Sequence, residues 1–156
     1  MLEDKKTFIT QEGFNKLSEE LEYLKNTRRK EIAERIASAK ELGDLSENAE
    51  YSDAKDEQLF TENRVAELEN IIRNVNVVKK NKKSLTVQVS STITVLDPHK
   101  KERQYTIVGS NEADPINGKI SNESPLGQAF LNHKSNDEID VLTPKGKIKY
   151  TILKIS

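Results

Sequence analysis

Apolar and small side chains in the first half of the chain recur at three- and four-residue steps, through Leu17, Leu21, Leu24, Ile32, Ile36, Ala39 and Leu42, then Tyr51, Ala54, Val65, Leu68, Ile72 and Val75. That is the helical period. Folded back near residue 46, the two runs set Leu42 against Tyr51, Ala39 against Ala54, Leu24 against Leu68, Leu21 against Ile72 and Leu17 against Val75, and each pair of numbers adds to 92 or 93. One constant sum means one antiparallel seam, which predicts a helical hairpin with a tight turn. Arg28 then falls opposite Val65, Ile32 opposite Thr61 and Ile36 opposite Gln58; polar seam positions specify register at some cost in stability. Thr10 suits the N-cap of the first helix, with Ile9 and Phe14 placed for a hydrophobic staple. From there to about Leu42 a helix of about 1.5 Å rise per residue reaches about 45 Å, far more than a small domain needs for its own packing.

The period changes to two from Leu85. Leu85, Val87 and Val89, then Ile93 and Val95, alternate with polar residues and read as strands. Tyr105 to Ile107 reads as another, and Ile139 to Val141 with Ile148, Tyr150 and Ile152 as a hairpin turned at Pro144-Lys145-Gly146. Ser124 sits where an N-cap belongs, with Pro125 in the first helical position of a short helix through Leu131. Between the halves lies a basic stretch with Lys79, Lys80, Lys82 and Lys83. The predicted class is α+β: a helical hairpin over 1–78, a basic linker over 79–83 and a small sheet domain over 84–156.

Composition sharpens this division. With 5% aromatic and 33% charged residues, one large core is disfavoured. Net charge is −1 overall, yet residues 1–78 carry net −6 and residues 79–156 net +5. A uniformly basic nucleic-acid binder is therefore excluded, while local patches can still steer a charged partner. Cysteine is absent, which rules out disulfides and thiolate metal sites, and His99 and His133 alone make structural zinc a poor fit. No apolar run approaches the roughly 18 residues of a membrane span, and the N-terminus lacks the apolar core of a signal peptide. A cytoplasmic, monomeric protein is the expectation.

The turn itself, Gly43-Asp44-Leu45-Ser46-Glu47-Asn48-Ala49-Glu50-Tyr51, concentrates the candidate chemistry. Gly43 frees the chain to leave the first helix, and Asp44 or Ser46 can cap the second. Asp44 and Glu47, three apart, also have the spacing of a capping box. Followed by Ala54-Lys55, this stretch resembles the tip signature of the bacterial Gre transcript cleavage factors. Ser124-Pro125-Leu126 with Ala129-Phe130-Leu131 is similar to the family's C-terminal signature. The resemblance spans nearly the whole chain and implies a long coiled-coil hairpin followed by a twisted sheet with a short helix, similar to FK506-binding proteins. The family usually has glycine near Asn132 and Asn136; asparagine is the best substitute where φ is positive, so the fold should survive both departures.

What the resemblance implies about function is specific. Asp44 and Glu47 would be the catalytic carboxylates, sharing a weakly held Mg²⁺ with RNA polymerase; the chain alone would not bind the ion stably. Two side chains cannot complete a hexacoordinate site, so a partner must supply the rest. Lys40, Ser46, Asn48, Tyr51 and Lys55 would lie where the tip meets polymerase and the RNA 3′ end, with Lys40 and Lys55 making point-charge contacts. Glu41 and Glu50 add negative charge, and the ring of Tyr51 belongs to the seam. Arg28, Arg29, Lys30 and Arg35 lie among many acids along the hairpin, as on a solvated, charge-laced helix. The chain would be no enzyme itself but an elongation factor that activates the polymerase's own nuclease. Two alternatives remain at this point: a channel-blocking inhibitor of the same architecture, against which the intact Asp44 and Glu47 argue, and a hairpin chaperone whose tip is only a capped turn.

Overall fold

The change of period at the sequence level reappears as two kinds of backbone pairing. A computed structural model describes residues 7–44 and 48–156. Its elements run β1 (Thr7–Thr10), α1 (Gln11–Tyr23), a wide π-helical turn (Leu24–Arg28), α2 (Arg29–Glu41), α3 (Ala49–Asn74), β2 (Val75–Val78), β3 (Thr92–Leu96), β4 (Glu102–Val108), β5 (Lys119–Ser121), α4 (Pro125–Phe130), β6 (Glu138–Thr143) and β7 (Gly146–Ile155). The chain forms two compact units: Phe14–Asn74, and the residues before Phe14 together with Val75–Ser156.

In the helical unit, α3 keeps an unbroken heptad. Ala54, Thr61, Val65 and Leu68 are buried, and Tyr51, Gln58 and Ile72 are half-buried between them. The opposing arm buries Ile32 and Ala39, but Leu24 and Ile32 are eight residues apart, one more than a heptad. The π turn between them absorbs the extra residue, because a π turn holds one more residue than an α turn and so returns the seam to the facing helix. The first helix, expected to run to about Leu42, runs to Glu41 with this π turn inside it. The pairing of Leu42 with Tyr51 is corrected, since Leu42 is 76% exposed just past the end of α2.

The expectation of a hairpin through residue 78 with no strand before Lys79 is also corrected. β1 and β2 bracket the helices in sequence and pair in parallel, Thr7 beside Val75 and Thr10 beside Val78. The apolar pattern at Ile9 and Val75 is thus strand pattern, too short to be told from helix by period. Thr10 does cap α1, its Oγ1 accepting from Gly13 N at 3.1 Å. Its own N–H donates at 2.8 Å to Oε2 of Glu112, and its hydroxyl donates to Oε1 of the same carboxylate. Glu112 also receives Gly109 N at 3.3 Å. One side chain therefore joins the start of α1 to the loop after β4, within a single unit.

The larger sheet has strand order β5-β4-β3-β7-β6, antiparallel except for the parallel β4–β5 pair. A bulge at Thr94/Val95 shifts the β3–β7 register. Phe130 from α4 is fully buried against Val87, Ile93, Val95, Ile107 and Ile152, and meets Tyr105 and Tyr150 at ring-centroid distances of 6.2 and 5.6 Å. Ser124 caps α4 by accepting from Gly127 N, and Pro125 opens it, as predicted. Asn132 and Asn136 hold φ of 67° and 71°, the conformation expected where glycine was replaced. The predicted strand over Leu85 to Val89 does not form. Val87 fills the core, but its N–H donates to His133 O and its carbonyl accepts from Asn132 N, both at 2.8 Å, so its backbone is spent on the loop after α4. Only a single bridge, Thr86 to Lys134, remains of that strand.

Candidate functional site

Where α2 ends, Leu42 N donates to Ala39 O at 3.2 Å, and Gly43 turns the chain with φ of 112°, a value that glycine adopts without strain. Asp44 follows, exposed and outside any helix. The second arm begins at Ala49, and its cap is Asn48: Oδ1 accepts from Tyr51 N at 3.1 Å. The same side chain reaches back with Nδ2 to Ala39 O at 2.7 Å. One asparagine therefore caps α3 and ties it to the last turn of α2. The sequence offered Asp44 or Ser46 as the cap of the second helix; the described start of α3 is capped by Asn48. Ser46, and Glu47, the second carboxylate of the sequence-derived pair, lie outside the described residues.

The neighbouring candidates separate by their partners. Glu50 is held by Arg35 through Nε at 2.9 Å and Nη2 at 2.7 Å. Lys55 donates to Gln58 Oε1 at 2.9 Å along its own helix. Lys40 and Glu41 are exposed. Tyr51 is half-buried, in keeping with a ring in the seam. Asp44 offers one anionic oxygen donor set. This fits a share of a magnesium site and not a whole one, because a hexacoordinate ion needs further oxygens from elsewhere.

Below the tip, the charges form a ladder between the arms. Arg29 grips Glu62 with two bonds of 2.7 Å, and Lys25 reaches Glu69 at 2.6 Å. Arg64 binds Glu20 at 2.7 and 3.0 Å and Glu67 at 2.8 Å, while Arg28 and Arg35 both contact Glu57. The Arg29 hydrogen bonds pull the Glu62 carboxyl below its usual range, and the Lys25 bond does the same to Glu69. These pairs are exposed, so each adds little stability alone. Bidentate geometry gives them directional strength, and together they resist sliding of one arm along the other. Arg28, Arg29 and Arg35, read from sequence as solvated surface charge, are thus cross-arm ties.

Sequence reasoning missed two roles, the cap at Asn48 in the tip and, in the sheet unit, the tie made by Glu112. Asp44, Ser46 and Asn48 are all good caps, and nothing in a single sequence ranks them. Glu112 carries no signal at all, since its partner Thr10 is 102 residues away.

Comparison with known proteins covers both units. The family "Transcription elongation factor, N-terminal" matches residues 7–77, and "Transcription elongation factor, GreA/GreB, C-term" matches residues 82–156. The transcription elongation factor GreA of Clostridium acetobutylicum is 51% identical over 157 residues, covering 99% of each chain. That of Bacillus subtilis is 48% identical, covering 100% of each. Among solved structures, the GreA factor homolog 1 (Gfh1) protein of Thermus thermophilus aligns with a TM-score of 0.44 at 25% identity, over 97% of this chain and 99% of that one.

Proposed function

Because the chain belongs to the GreA/GreB family of transcription elongation factors, we propose that it binds RNA polymerase, inserts its hairpin through the channel that admits nucleotides, and stimulates the polymerase's own cleavage of backtracked RNA. The features that support this reading are the exposed Asp44 and a helical hairpin whose arms are tied by Arg29–Glu62 and Arg35–Glu50.

In this reading Asp44 and Glu47 contribute carboxylate oxygens toward a magnesium site completed by polymerase. Magnesium held there supplies charge neutralisation at the scissile phosphate and a water made more acidic. The chain's own part is to place negative oxygens, orient the water by accepting its hydrogen bonds, and bring Lys40 and Lys55 near the phosphates at the RNA 3′ end. It cuts nothing alone. Once the extruded end is removed, the new 3′ end lies in the polymerase's active site and elongation resumes. The chain works in this way as a cytoplasmic monomer.

The test is cleavage in stalled elongation complexes. Asp44→Asn and Glu47→Gln should each slow cleavage by about a hundredfold, the upper range for groups that support a bound metal, and added Mg²⁺ should restore part of the loss. Both variants should still compete with the unaltered chain for polymerase. Full cleavage by both would remove the proposed role. An inhibitor of the same shape predicts the opposite pattern, with no cleavage by the unaltered chain and no change on substitution.

A further inference from the structure

The tip mechanism makes no use of a shallow cleft of about 600 Å³ in the sheet unit, between the turn after β3 and the first residues of β7. Its floor is aromatic. Tyr105 and Tyr150 line it half-buried, both braced from below by Phe130. Its rim is basic, formed by Arg103, Lys147 and Lys149, with His99 beside them.

The acids nearby offset part of this charge. Asp97 also lines the cleft and lies 3.5 Å from Arg103, its Oδ1 accepting the N–H groups of His99 and Lys101 at 2.9 Å, so it faces Arg103 and leaves the two lysines. Glu138 is 3.4 Å from Lys149 across two largely exposed side chains, a pair that water and salt screen. No acid pairs with Lys147 among the described residues. The cleft also lies in the half of the chain that carries net +5.

Cations alone would suit any acidic partner. Aromatic side chains beside them narrow the choice, because single-stranded nucleic acid pairs phosphates that meet cations with bases whose faces stack on aromatic rings. We propose that this cleft binds a short stretch of single-stranded RNA, with its bases against Tyr105 and Tyr150 and its phosphates toward Arg103, Lys147 and Lys149. An acidic peptide would use the rim and leave the rings unused.

The chain has four tyrosines and no tryptophan, so it can report on the cleft directly. In the full chain carrying Tyr23→Phe and Tyr51→Phe, the remaining ultraviolet emission comes from Tyr105 and Tyr150. Titration with a short oligouridylate, without polymerase, should quench that emission and give an affinity that falls steeply with salt. Lys147→Gln with Lys149→Gln should weaken binding about tenfold and lower the salt slope, since two phosphate contacts are lost. Binding without quenching, equal quenching by inorganic polyphosphate, tighter binding of a polyglutamate peptide, or no binding would each overturn the proposal.

Discussion

Replacing Asn48 by alanine removes two bonds, one to Tyr51 N and one to Ala39 O. The cap on Tyr51 N is worth about 1 kcal/mol, and the tie to Ala39 O, a neutral hydrogen bond in a half-buried site, about another 1 kcal/mol. In a helical unit the size of Phe14–Asn74, about 2 kcal/mol corresponds to a fall of about 8 to 16 °C in its melting temperature. Asn48→Asp separates the two bonds. Its carboxylate still caps α3 and gains from the helix dipole, but it cannot donate to Ala39 O. Its loss should be well under half that of alanine. Far-ultraviolet circular dichroism during heating, which is dominated by the helices, measures both. If Asn48→Ala melts within about 2 °C of the unaltered chain, where a loss of about 2 kcal/mol should be obvious, Asn48 does not hold the arms together and the account of the tip is wrong.

Three further outcomes follow from other parts of the chain. Gly109→Ala would set its Cβ 1.7 Å from the backbone oxygen of Phe8, so it should destabilise the sheet unit by about 3 kcal/mol, the upper range for overpacking; chemical denaturation monitored by tyrosine emission would show it. Asn132→Ala should cost about 1 kcal/mol, because alanine tolerates a φ of 67° less well than asparagine, whereas Asn132→Gly should not destabilise in the same denaturation assay. Asp97 and Asp137 are held below the ordinary value of 3.8, Asp97 chiefly by the Lys101 amide and Asp137 chiefly by the Lys134 amide. Depressed folded values mean that their stabilisation is complete above that ordinary value and disappears as pH falls through the lower ones. Melting of the sheet unit between about pH 5 and about pH 2 should decline less steeply in Asp137→Asn.

The sequence was most informative where a local rule has one solution. The sevenfold spacing of Ala54, Thr61 and Leu68 defined the buried edge of α3. Ser124 and Pro125 could only open a helix, and Asn132 and Asn136 sat where positive φ was needed. It failed where the decisive partner was distant or the rule had several solutions. Val87 alternates like a strand residue, but its amide is claimed by His133, 46 residues away. The eight-residue step from Leu24 to Ile32 was visible as a number, yet its remedy, a π turn, depends on the facing helix. At the tip, three adequate caps lie within five residues, and the tie from Asn48 to Ala39 O depends on the facing helix.

The pairing of β1 with β2 has a consequence for the order of events during synthesis. β1 emerges from the ribosome before any partner exists for it, and 64 residues separate Thr10 from Val75. Closing an unstructured loop of that length costs about 4 kcal/mol in chain entropy, more than a parallel pair of four-residue strands offsets. A folded hairpin changes this cost, since its second arm carries the chain back alongside the first and delivers β2 near the point where β1 was left. The arm braces between Glu20 and Arg64 and between Lys25 and Glu69 therefore act before the protein meets any partner. They make the nascent hairpin its own chaperone for the strand that precedes it, and slowing their formation should leave β1 unpaired and open to proteases while the rest of the sheet is complete.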